Sequence, residues 1–194
     1  MFAQYKDGAS INTRPHFKKF FRYYQECSQT EAKSFLALIK EYDFVLYESA
    51  EDETQHRGKA GGFYFPFEPL HKWFQPKPDT NFVCFDEYLQ LVGEDNEEEL
   101  VNFLTDLGVK DIPRICQRIL TEDEANEIKP RNEWPQPTWY NMNTRKWTEQ
   151  FIDGCQENIE RITLEQDVSL SVDLWNQLLK FVEYGFFKDS YYWS

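Results

Sequence analysis

Apolar residues along the chain fall first at helical spacing. Phe17, Phe20, Phe21 and Tyr24 mark one face of a helix that Pro15 can start, because a first turn tolerates a missing N–H. Ser28-Gln29-Thr30-Glu31 is a capping box, and Ala32, Phe35, Leu36 and Ile39 follow three, four and seven apart. Phe44-Val45-Leu46-Tyr47 predicts a strand, and residues 49–62 (SAEDETQHRGKAGG) predict a loop. Phe63 and Phe65 alternate with Tyr64 and Pro66, which predicts a second strand and makes the pair a hairpin with a long charged tip. Leu70, Trp73 and Phe74 give a short helix. After Pro76 and Pro78, the unbroken run Phe82-Val83-Cys84-Phe85 predicts a strand buried on both faces.

Helical spacing then returns. Tyr88 to Val92 fits one or two turns. Asn96 is placed to cap a helix whose first turn holds Glu97, Glu98 and Glu99, where the helix dipole favours anions, and whose stripe is Leu100, Phe103, Leu104 and Leu107. Gly108 ends it. Asp111 caps a further expected helix with Ile112, Ile115, Cys116 and Ile119 inward, and Thr121-Glu122-Asp123-Glu124 opens a short one that stops at Pro130. Residues 130–145 carry Pro130, Pro135 and Pro137 among Trp134, Trp139 and Tyr140, and read as an ordered crossing segment. Trp147, Phe151, Cys155, Ile159 and Ile162 predict one helix, and Leu170, Leu174, Trp175, Leu178, Phe181 and Val182 another, together a helical hairpin. The expected fold is therefore α+β and helix-rich. A small sheet or hairpin over about residues 43–85 is packed by helices, and a C-terminal helical hairpin follows. The expected division is 1–129, mixed helix and strand, and 130–194, the crossing segment and hairpin, packed on the first part as one unit.

Length and composition narrow the class. A chain of 194 residues can bury a core without metal or disulfides, and its 17 Phe, 11 Tyr and 6 Trp supply large core side chains. The net charge of −13 opposes binding to a duplex or an anionic membrane. That charge is uneven: residues 86–111 are strongly acidic, whereas Arg14, Lys18, Lys19 and Arg22 form a basic run in residues 14–22 with no acid among them. The bland reading is two solvated helix faces of opposite sign. Cys27, Cys84, Cys116 and Cys155 are widely spaced and form no C-x-x-C, which points to free thiols and a reducing cytoplasm. No apolar run approaches the length of a membrane span, and no charged-then-apolar signal opens the chain.

The chain shows no motif for cofactor, metal or catalysis. Gly58-Lys59-Ala60-Gly61-Gly62 lacks the spacing of a phosphate-cradling loop, precedes a strand, and reads as a turn. His16, His56 and His71 are scattered singly, so neither a zinc site nor a base is marked. No G-x-S-x-G occurs, and a pairing of Cys84 with His71 has only their bordering one turn to suggest it. The acids of residues 94–99 lack a calcium-loop pattern. Helix, helix, hairpin over residues 15–67 resembles part of a winged helix, whose basic first helix and tip (His56-Arg57-Gly58-Lys59) could touch phosphates. A winged helix requires a third helix before its wing, and Glu51, Asp52 and Glu53 share this tip.

Two stretches resemble a known family. One runs Tyr64-Phe65-Pro66-Phe67-Glu68-Pro69-Leu70-His71-Lys72-Trp73-Phe74, then Asn81-Phe82-Val83, Tyr88-Leu89 and Phe103 to Lys110 (FLTDLGVK). The other is Phe151 to Ile159 (FIDGCQENI), followed by Ser171 to Leu179 (SVDLWNQLL). Together they resemble the middle, non-ATPase region of large bacterial proteins with a sacsin-like, Hsp90-type ATP-binding domain. The family's nucleotide site uses an N-x-x-D-A helix and a D-x-G-x-G turn; neither occurs here, and Asp153-Gly154 is followed by Cys155 and Gln156. No ATP-site residue carries over. What the resemblance implies is a fragment of a longer chain; the missing motifs add the expectation of no catalytic, cofactor-binding or metal residues. Such a region serves structure or protein interaction, with other domains of the parent chain or a protein partner. The aromatic end, with Phe186, Phe187, Tyr191, Tyr192 and Trp193 as possible interaction residues, is expected to dock on this domain or to bury against a second copy. The alternative is a nucleic-acid-associated, winged-helix-like module using residues 14–22 and 56–59.

Overall fold

The computed structural model describes residues 13–49, 55–68, 70–74, 77, 79–127, 138–141, 146–166 and 168–183. The expectations for the polar residues 1–12 and for the aromatic contacts at 186–193 lie outside the described residues. The chain is α+β and helix-rich, and it divides into two compact units, 1–112 and 113–194.

In the first unit, helices α1 (Arg14–Glu26) and α2 (Gln29–Ile39) precede strand β1 (Val45–Ser49). Thr13 and Pro15 start α1, and the Ser28 capping box separates it from α2. No third helix intervenes before β1, so the order departs from a winged helix. The partner of β1 is not the Phe63–Phe67 stretch. It is β2 (Gln55–Gly58), formed inside the expected loop and paired antiparallel from Val45↔Gly58 to Glu48↔Gln55. The side chains of residues 55–58 are polar or absent, so the hydrophobic pattern gave no sign of this strand; backbone pairing to β1 makes it.

After α3 (Leu70–Trp73), β3 (Asn81–Val83) adds to the other side of β1, with Tyr47 opposite Val83. Sheet order is β2-β1-β3. Tyr64 lies extended and bridges both Phe82 and Lys110, its N–H donating to the Asn81 carbonyl and its carbonyl accepting from Val83 N–H. The strand-like alternation at 63–65 therefore reflects real burial, although only one residue forms bridges. The expected strand at 82–85 ends early, and Phe85 instead opens α4 (Phe85–Val92).

A single-turn 3-10 segment, Glu94–Asn96, leads into α5 (Glu97–Leu107). Asn96 stands at the cap position without capping. Its Nδ2 donates to the Val92 carbonyl and its Oδ1 accepts from Gln25, which ties α4 to α1 instead. Gly108 ends α5 in the left-handed region, at φ +112°. Helices α1, α4 and α5 meet at Phe17, whose ring stacks on Tyr88 at 3.6 Å and meets the edge of Phe103 at 5.5 Å. The buried Tyr88 hydroxyl accepts the Leu46 N–H at 2.7 Å and so fixes α4 on β1.

The second unit overturns two helical expectations. Residues 115–119 form strand β4 (Ile115–Ile119), and Trp147 and Phe151 belong to strand β6 (Lys146–Ile152). These pair antiparallel, with Ile115 opposite Ile152 and Arg118 opposite Glu149. Spacings of three and seven fit a helix and not a strand, so periodicity misleads here; antiparallel pairing of β4 with β6 overrides it, and β-branched isoleucines favour the pleat. Of the Pro/Trp segment, Thr138–Asn141 is described and forms β5 on the far side of β6, for an order β4-β6-β5. Between β4 and β5, the Thr121 capping box opens α6 (Glu122–Glu127). The helical hairpin is present as α7 (Cys155–Glu165) and α8 (Val168–Glu183), which pack on each other. A left-handed Gly154 starts α7, and buried Asn158 donates its side-chain amide to the Gly154 carbonyl.

Candidate functional site

All four cysteines are free thiols. Cys84 is buried, and burial first, then the nearby charges of Glu48 and Glu87, push its thiol up to about 12. It is protonated at neutral pH, the state of a packing residue rather than a nucleophile. The His71 ring lies 5.3 Å from that of Phe82, and His56 stacks on Tyr47 at 5.5 Å. Among the described residues, no group of three or more His, Cys, Asp or Glu could hold a metal ion.

The basic run of α1 is not a continuous cationic face. Arg14 forms hydrogen bonds to Glu87 at 2.6 and 3.0 Å, and Gln55 bonds both Arg14 and Glu87, so α1, β2 and α4 share one polar cluster. Burial raises the Glu87 carboxyl, but the bonds from Gln55 and Arg14 outweigh it and hold the group below its ordinary value. Arg22 pairs with Glu26 at 2.8 Å within its own helix. Lys18 and Lys19 are exposed.

Four other basic residues gather elsewhere in the first unit. An open cleft of about 760 Å³ is lined by Lys40, Arg57, Lys59 and Lys110, with Glu41 the carboxylate among its described lining residues. Lys40 follows the last turn of α2, Arg57 lies on β2, and Lys110 follows the end of α5. Gly58, Gly61, Gly62 and Gly108 supply bare backbone to the same walls. Two of these are required by packing. A Cβ on Gly58 would come within 2.7 Å of the Phe63 ring, and one on Gly108 within 3.2 Å of the Gly61 backbone. The cleft draws on residues 40–47, 57–63 and 107–110, and no spacing in the sequence marks it.

In the second unit, α8 has two apolar sides. Leu170 is buried and Leu174 and Leu178 are half-buried. Val168, Val172, Trp175 and Leu179, spaced four, three and four apart, are 75, 52, 65 and 54 % exposed. At about 100° per residue these four fall within roughly 60° of the helix circumference, a narrow stripe of the kind that meets a partner helix. Ile159 and Leu164 of α7 are exposed as well. Trp175, expected from its spacing on the inward face, belongs instead to this outer stripe, and the 4-3-4 spacing is the sequence signal that marks it.

Compared with family models, curated proteins and solved structures, the chain matches none of them. Among the described residues, no helix is long and apolar enough to cross a membrane.

Proposed function

We propose that this chain is a non-catalytic structural or protein-interaction region of a larger, ATPase-containing protein, working in a reducing cytoplasm. The observation that supports this best is the exposed Val168, Val172, Trp175 and Leu179 stripe on α8. A helix apolar on both sides of its circumference is ordinarily covered on both. Contiguous exposed apolar surface beyond a few hundred Å² is uncommon on a protein that works alone. The occupant is a helix of another domain of the parent chain, because the resemblance puts this region beside an ATP-binding domain.

A calorimetric titration of the chain with the ATP-binding domain of its parent protein, with and without nucleotide, tests this. Binding is expected, and Trp175→Glu with Leu179→Glu should abolish it while leaving the thermal midpoint in place. Nucleotide or ester turnover by the purified chain, lost on one point substitution, would overturn the reading. The rival nucleic-acid-associated module would require salt-dependent DNA retention that Arg14, Lys18, Lys19 and Arg22→Ala together remove. The carboxylate pairing of Arg14 and Arg22 weighs against it.

A further inference from the structure

The exposed stripe of α8 is symmetric. Val168, Val172, Trp175 and Leu179 are spaced four, three and four apart, an order that reads the same in both directions. A twofold axis crossing the helix between residues 173 and 174 sets Val168 opposite Leu179, and Val172 opposite Trp175, of an antiparallel second copy. Each small β-branched side chain then meets a large one, which is how facing layers interdigitate. A parallel second copy would instead set Trp175 against its own equivalent and valine against valine.

Charge provides an independent observation. Two copies of a chain with a net charge of −13 repel each other, so like charges beside a shared seam would be costly. At about 100° per residue, Ser169, Ser171, Asn176 and Leu178 are the residues between Val168 and Leu179 that flank the stripe, and none is charged. Asp173 lies about 130° from the centre of the stripe. A seam flanked by neutral residues accepts its own copy without like-charge pairs.

We infer that α8 pairs antiparallel with α8 of a second copy of this chain through these four residues. The inference rests on the reading of the stripe as an interaction surface and adds a regulation of it: a second copy and a helix of the parent chain exclude each other there. Four side chains per copy fall far below the roughly 20–30 residues a side of a standard interface. Association is therefore weak and reversible, with Trp175 as its main anchor.

Sedimentation equilibrium of the whole chain, from micromolar to near-millimolar concentration, tests this. A monomer–dimer equilibrium is expected, and it should tighten with salt as repulsion between the acidic chains is screened. Trp175→Ala should raise the dimer dissociation constant at least about thirtyfold, since a twofold interface contains the residue twice. Val168→Cys mixed with Leu179→Cys should cross-link under oxidation beyond the wild-type level, and neither variant should do so alone. In the antiparallel pair, residue 168 and its equivalent lie about 16 Å apart along the axis, beyond the reach of a disulfide. A monomer at every concentration would overturn the inference, as would a dimer indifferent to Trp175→Ala or cross-linking within either single variant. So would a full chain that stays monomeric while one lacking residues 184–194 dimerises, which gives the stripe to the chain's own aromatic end. The chain is tested alone, so failure of the parent's ATP-binding domain to bind leaves this result standing, and the two readings fall separately.

Discussion

The two units use apolar residues in opposite ways. Of the 26 buried hydrophobic residues among the described side chains, 24 lie in the first unit; of the ten large exposed ones, eight lie in the second. In the first unit aromatic rings interlock across α1, α4, α5 and Phe44, and Val45 and Leu46 of β1 join them, so helices and sheet share one core. In the second, strand ladders and the packing of α7 on α8 carry the described structure, and polar side-chain contacts accompany them. Arg118 joins β4, β6 and α6 through Glu149 at 2.7 Å and Glu124 at 2.8 Å, and Asn158 anchors the start of α7. Exposed ion pairs of that kind contribute little, typically below about 1 kcal/mol each. The first unit gathers its apolar side chains inward, whereas the second turns many of its described ones outward.

That contrast can be broken most directly in the first core. Phe103→Ala removes a ring that meets Phe17, Phe21 and Tyr24, and should cost about 3–5 kcal/mol in urea unfolding. A loss under about 1 kcal/mol would mean the core is looser than its rings suggest. Tyr88→Phe leaves the Leu46 N–H without its acceptor and should cost about 1–3 kcal/mol. Gly108→Ala forces a side chain into a left-handed residue against Gly61, with an expected loss of about 1–2 kcal/mol.

Smaller effects sharpen the comparison. Ser28→Ala and Thr121→Ala remove one capping box from each unit, each worth about 1 kcal/mol where its helix unfolds with its unit. If only Ser28→Ala shifts the main urea transition, the two units unfold separately. Glu87→Gln should cost under about 1 kcal/mol at pH 7, since Arg14 and Glu87 are partly exposed. The folded carboxyl is held below its ordinary value, so its contribution is complete above the unfolded value and is lost as pH falls through the folded one. Wild type and Glu87→Gln should therefore converge in acid. Trp175→Ser should be the smallest, within about 0.5 kcal/mol, because its ring is mostly exposed.

Features set by neighbouring residues are readable along the chain. The stripes and ends of α1, α2 and α5 were legible because Phe17 to Tyr24, the Ser28 box and Gly108 act within a few residues of one another. The same holds for the Thr121 box. Tertiary structure decided the rest. Asn96 has a capping residue's identity, yet Gln25 from another helix takes its oxygen. β2 exists because Val45–Glu48 offers a ladder, and β4 and β6 because isoleucines distant in sequence face each other at Ile115 and Ile152. The cleft is further still from any linear signal. Lys40, Arg57 and Lys110 become neighbours only when two helices end beside one strand, and charge in a sequence carries no direction until the backbone supplies it.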